Sequence, residues 1–134
     1  MADEYILTTG KRKTATAKAK ITAGNGQVFI NRKPLEIYEP EVARLKIQEA
    51  LILAGDLANK VNIDVHVKGG GVMGQSAAVR MAIARGLVKF FKDPKLEAIY
   101  KEYDRNLLVI DPRRKLPKKP GGRGARKKRQ KSYR

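Results

Sequence analysis

Between Thr14 and Thr22 the side chains alternate without a break, with Ala15, Ala17, Ala19 and Ile21 on one side and Thr14, Thr16, Lys18, Lys20 and Thr22 on the other. Successive residues of a strand point to opposite faces, so this stretch predicts a half-buried strand. Its small inner side chains predict an element packed very close to it. Ahead of it lies a short strand-like run from Tyr5 to Thr9, then a basic loop of Gly10, Lys11, Arg12 and Lys13. Gly24, Asn25 and Gly26 supply the positive-φ residues of a tight turn, and QVFIN follows as a third strand, so the opening quarter is expected to be antiparallel sheet.

Pro40 suits the first turn of a helix in EPEVARLKIQEALILAG, where Glu39 and Glu41 sit at the positive end of the macrodipole and Gly55 stops it. Val42, Leu45, Ile52 and Leu53 are expected in its apolar stripe. Alternation returns from Val61 to Lys68, placing Val61, Ile63, Val65 and Val67 opposite Asn62, Asp64, His66 and Lys68. A glycine loop comes next, then a helix from about Gln75 to Lys92, which Asp93 and Pro94 interrupt. On that helix Val79, Ile83, Leu87 and Phe90 form the apolar stripe, and Arg85, Lys89 and Lys92 lie within about 60° of one another beside it. Arg80, taken as a first-turn residue, is expected to reach back toward the glycine loop. PKLEAIYKEYD predicts a short helix, and LLVID a short buried strand or a segment docked on the core. The order β-β-β-α-β-α describes an α+β domain of two layers, a mostly antiparallel sheet with helices on one face. Its other face would carry Lys18, Lys20 and His66. We expect a globular part over residues 1–111 and an extended tail over 112–134.

Charge sharpens this division. The chain of 134 residues has 30 Lys and Arg against 13 Asp and Glu, a net charge of +17. Of the basic residues, 12 lie between Pro112 and Arg134, where there is no carboxylate, leaving 18 against 13, a net +5, for the rest. Such segregation points to a polyanion, of which nucleic acid has the densest fixed charge; an anionic membrane is the weaker candidate. The absence of Cys excludes disulfides, thiol catalysis and cysteine zinc sites. MADEYILTTGKRK begins acidic with only a three-residue apolar run, and ALILAG is too short to span a bilayer, so a soluble intracellular protein without a membrane partner is expected.

GGGVMGQS, from Gly69 to Ser76, resembles a nucleotide-binding P-loop except that Gln75 stands where the phosphate-reaching lysine belongs. LLVID would offer Asp111 as the magnesium ligand. An NTPase nevertheless fails on the missing lysine and on a chain too short for the parallel sheet such a site needs. Two readings of Gly69, Gly70 and Gly71 stay open and are compatible: a tight turn with close packing, and a cradle of backbone N–H groups for a phosphate. His66 has no second His and no Cys to complete a catalytic or metal site, so a solvent-facing or RNA-facing imidazole is expected. No catalytic residue, cofactor, metal or small-molecule substrate is indicated.

The tail has little to bury apart from Leu116 and Tyr133, and its Pro, Gly and like charges oppose regular structure. It is expected to be disordered without RNA. Extended, it would span roughly 75 Å at about 3.3 Å per residue. Ordering it costs about 1–2 kcal/mol per residue, and a charge-assisted hydrogen bond returns about 1.5–3 kcal/mol, so the terms balance only if nearly every cation meets a phosphate. A folded RNA offers phosphates on several sides of such a chain. One side of a DNA duplex does not, which makes a DNA-binding architectural protein the second reading.

TGKRKTATAKAKI, GGGVMGQSAAVRMAIARGL and the ending from DPRRK through GARKKRQKSYR together resemble the universal ribosomal protein S-nine family of the small subunit, in the family's order along nearly the whole chain. QKSYR looks like the archaeal and eukaryotic branch, and an archaeal source is preferred. The resemblance implies a domain of the ribosomal S-five second-domain type with a left-handed β-α-β crossover, where general principle predicts a right-handed one. It implies a structural, non-enzymatic constituent of the subunit head, cytoplasmic in location, bound to the large ribosomal RNA of that subunit and to neighbouring head proteins. The tail would reach the peptidyl-site transfer RNA, with Arg134, Lys131 and Tyr133 at the anticodon stem-loop. Ribosomal RNA would be held by Lys11, Arg12 and Lys13 and by the tail cations Arg113, Arg114, Lys115, Lys118, Lys119, Arg123, Arg126, Lys127, Lys128 and Arg129. Lys18, Lys20, Gly69, Gly70, Gly71, Arg80, Arg85 and Lys89 complete the expected RNA-binding set.

Overall fold

A computed structural model describes residues 5–38 and 40–109. Strands β1 (Tyr5–Arg12) and β2 (Ala15–Ala23) form a hairpin, joined by Lys13 and Thr14. Short strands β3 (Val28–Ile30) and β4 (Lys33–Pro34) form a second hairpin, followed by helix α1 (Glu41–Ala54). Strand β5 (Val61–Lys68) leads into α2 (Val72–Phe91) and then α3 (Pro94–Tyr103). The five strands lie in the order β1-β2-β5-β3-β4, with β3 and β5 parallel and the other three pairings antiparallel. The protein is thus α+β with a mixed sheet. Among the described residues no helix is long and apolar enough to cross a membrane.

The strict alternations predicted the strand faces correctly. Ala15, Ala17, Ala19 and Ile21 of β2 and Val61, Ile63, Val65 and Val67 of β5 are buried. Above them α2 contributes Ala78, Val79, Ala82, Ile83 and Leu87 to the same core. The close packing expected over the alanines occurs at β1, where Gly10 lies directly against the α2 backbone and the Thr8 hydroxyl donates to Ala82 O at 2.8 Å.

Four expectations need correction. Gly10, Lys11 and Arg12 are not a loop but the end of β1, because they complete the ladder opposite Ala15, Thr16 and Ala17. The third strand does not return beside β2. β5 occupies that place, and the Asn62 side chain accepts the N–H groups of Asn25 and Gln27 at 2.9 and 3.2 Å, pinning the turn to the start of β5 instead. On α1 the buried residues are Ala43, Ile47, Ala50 and Ala54, whereas Val42, Leu45 and Ile52 face outward. The small alanines let α1 approach α2. Finally, α2 begins at Val72, three residues before the expected start, so Arg80 lies two turns in, and its guanidinium goes to Glu49 and Asp104 rather than back to the glycine loop.

The α3 helix forms as predicted, with Asp93 accepting from Lys95 N at 2.9 Å and Pro94 in its first turn. Of LLVID, Leu107 is fully buried at the end of a 3-10 turn (Arg105–Leu107), and Leu108 and Val109 follow it as turn and bend rather than strand. Ile110, Asp111 and the whole of 112–134 lie outside the described residues.

Candidate nucleic-acid interface

Two surfaces rich in cations meet at the turn end of the β1–β2 hairpin. The first is the uncovered sheet face. Strand register sets its rows: Lys11, Thr16 and Lys68 nearest the turn, then Thr9, Lys18 and His66, then Leu7, Lys20, Asp64 and Phe29. Lys18, Lys20, His66 and Lys68 are exposed, and Lys20 Nζ stands 4.9 Å from the centre of the Tyr5 ring. The face therefore carries cations, an imidazole and aromatic rings, with Asp64 as its one carboxylate among the described residues. That mixture suits phosphates and unstacked bases.

The second surface is a cleft of about 330 Å³ between the hairpin turn, the glycine loop and α1, lined by Arg12, Lys13, Lys46, Gly70, Gly71 and Gly74 among others. Gly69 and Gly70 have φ of 78° and 70°, a conformation costly for other residues. A Cβ on Gly69 would lie 2.6 Å from Thr14 O, and one on Gly70 3.0 Å from Ala15 N. Close packing thus explains both glycines. The loop leads into the N-terminus of α2, which has no side-chain cap and no carboxylate in its first turn. Its positive dipole end, at Gly71, Met73 and Gly74, lines the same cleft as Arg12, Lys13 and Lys46. Gln75, at the position of the missing P-loop lysine, donates from Nε2 to Gly69 O at 3.1 Å and braces the loop.

Lys46 was not anticipated. No local pattern distinguishes it from any other helical lysine; only tertiary packing brings it to the loop. Burial first, and then the Arg80 guanidinium, push its ammonium below the usual lysine range, with Glu49 acting the other way. Lys68 belongs to the open face by its alternation in β5 and was likewise missed as a binding residue.

The arginines of α2 are used inside the fold. Arg80 donates to Glu49 Oε2 at 2.6 Å and to Asp104 Oδ2 at 3.2 Å, with only 11% of its side chain exposed. It joins α1, α2 and the segment after α3. Arg85 donates from Nε to Leu108 O at 2.9 Å and from Nη1 to Thr9 O at 3.1 Å, holding the last described residues against β1. Lys89 is exposed on the last turn of α2. Lys11, Arg12, Lys13, Gly69, Gly70 and Gly71 are brought together at the turn end, and Lys18 and Lys20 continue from it along the open face. The expected tail contacts, from Arg113 to Arg129 and at Lys131, Tyr133 and Arg134, lie outside the described residues.

The chain is similar to known proteins along nearly its whole length. Residues 10–134 match the family model described as ribosomal protein S9/S16. A relative from Thermoplasma volcanium is 57% identical over 131 residues, covering 98% of this chain and 99% of its own. One from Pyrobaculum aerophilum is 56% identical, covering 96% and 91%, and one from Methanothrix thermoacetophila is 54% identical, covering 98% and 99%. All three are named small ribosomal subunit protein uS9.

Proposed function

The chain belongs to the ribosomal protein S9/S16 family, and from that membership we propose a structural constituent of the small-subunit head that holds ribosomal RNA with its folded part and transfer RNA with its tail. The single observation that carries the reading is the match over residues 10–134, which includes the basic tail as well as the folded part. Helices on one side of a sheet whose polar side is uncovered support assignment to the ribosomal S-five second-domain type.

In this reading Lys11, Lys13, Lys18, Lys20 and Lys68 take ribosomal RNA phosphates across the open face and turn, and the cleft at Lys46 and the α2 N-terminus takes one more. The support is the place of Lys46 in the cleft beside Arg12 and Lys13, where burial and the Arg80 guanidinium lower its pKa against the opposing pull of Glu49; a seated phosphate would favour its charged form. Arg80 and Arg85 act from beneath, keeping the cleft and the departure point of the tail in register. The residues after Asp111 supply counter-ions to folded RNA, and Arg134, Tyr133 and Lys131 contact the anticodon stem-loop of peptidyl-site transfer RNA. No bond is made or broken.

The test is deletion of Arg134. Small subunits carrying the truncated chain are expected to assemble normally and to bind transfer RNA more weakly in the peptidyl site. Equal binding by truncated and full-length subunits refutes the tail's role, and failure of the full chain to sediment with small subunits at moderate salt refutes the whole reading.

A further inference from the structure

The outward side of α1 has a chemistry unlike the rest of the chain. Val42, Leu45 and Ile52 are 63%, 52% and 73% exposed, and Ile37 just before the helix is 62% exposed. Residues within about 60° of Leu45 around the helix are Glu41, Val42, Gln48, Glu49 and Ile52, with no cation among them. From Leu35 to Asp56 the sequence has five carboxylates against Arg44 and Lys46, a net −3 in a chain of +17. Glu49 is engaged by Arg80, and Glu41 lies 3.7 Å from Arg44. Beside α1 opens a cleft of about 550 Å³ whose lining includes Phe29, Pro34, Leu35, Glu36, Gln48 and Leu51.

An aliphatic patch rimmed by carboxylates marks an interaction site, and it repels phosphates. Charge complementarity selects the occupant. We propose that this side of α1, with its adjoining cleft, docks a Lys- and Arg-rich segment of another small-subunit protein, which seats aliphatic side chains on Val42, Leu45 and Ile52 and sets its cations against Glu36 and Glu41. The proposal rests on the ribosomal reading above and adds to it a division of labour: RNA on the open sheet face, the turn and the Lys46 cleft, protein on the outward side of α1.

The experiment uses full-length chain carrying a photo-reactive benzophenone amino acid at position 45, incorporated into small subunits, with a second variant labelled at position 18 on the sheet face. The expected product from position 45 is a cross-link to a Lys- and Arg-rich segment of a small-subunit protein. Its yield should fall at least fivefold when Glu36→Lys and Glu41→Lys are added, while position 18 still cross-links to ribosomal RNA. Both glutamates are exposed, so these changes leave the core intact. Cross-linking of position 45 to RNA, to a second copy of this chain or to an acidic segment overturns the proposal, as does no product, or a yield indifferent to the charge reversal. A chain that fails to sediment with small subunits overturns the ribosomal reading, and the proposal with it.

Discussion

Gly10 of β1 and Ala78 of α2 meet backbone to backbone: a Cβ on Gly10 would fall on the Ala78 carbonyl oxygen and lie 2.7 Å from Ala82 N. The obstructing atoms belong to the helix backbone, so no side-chain rotation relieves the clash. Gly10→Ala is therefore expected to destabilise the protein by at least about 3 kcal/mol, the upper end of ordinary overpacking. Thermal unfolding checks this, with a melting temperature lowered by ~4–8 °C for each kcal/mol.

The Arg80 clamp gives a second expectation. Arg80→Gln leaves Glu49 and Asp104 without the guanidinium that joins them, and the carboxylates' partial exposure limits the loss to about 1–3 kcal/mol. A double-mutant cycle with Glu49→Gln should return a coupling of about 0.5–3 kcal/mol in urea denaturation. Strict additivity of the two changes would show that the contact stabilises nothing.

Alkaline pH tests Tyr100, whose fully buried ring donates its hydroxyl to Ala50 O at 2.7 Å. Burial raises its pKa in the folded state well above the ordinary value of 10.0. Above that value the unfolded chain releases a proton that the folded protein keeps, so stability drawn from Tyr100 is complete below about pH 10 and declines as pH rises. Tyr100→Phe removes this dependence. The stability difference between wild type and variant, measured by urea denaturation at pH 8 and above pH 10, should shrink at the higher pH.

RNA binding provides the fourth. Lys13→Ala and Lys46→Ala are each expected to weaken binding of a fragment of small-subunit ribosomal RNA and to lower the slope of log affinity against log salt by about 1. Lys101→Ala, which removes a lysine paired with Glu97 at 3.0 Å on α3, should leave the slope unchanged. Filter binding across a salt series reads all three.

Local sequence revealed the faces of β2 and β5 because a period of two is visible within eight residues. It could not reveal that β5 lies between β2 and β3, since an alternating strand accepts a partner on either edge and the tie that decides the matter, Asn62 to Asn25, joins residues 37 positions apart. The face of α1 was misread because large aliphatics outrank alanine in hydropathy, while packing against α2 favours the small residues. The same distinction applies to the site. Lys11, Lys13 and the three glycines announce themselves as a cluster or a motif, whereas Lys46 reaches the glycine loop only through the tertiary fold, and Arg80 finds Glu49 31 positions away.

The interior place of β5 also matters while the chain is being made. The hairpin of β1 and β2 can close once Ala23 has emerged, but the free edge of β2 gains its partner only when Lys68 follows, about 45 residues and ~2–9 s later at usual synthesis rates. Throughout that interval the nascent polypeptide presents an unzipped strand margin beside a bare alanine and isoleucine surface. Here is the point at which a chaperone, or misjoining with another newborn chain, competes with correct folding.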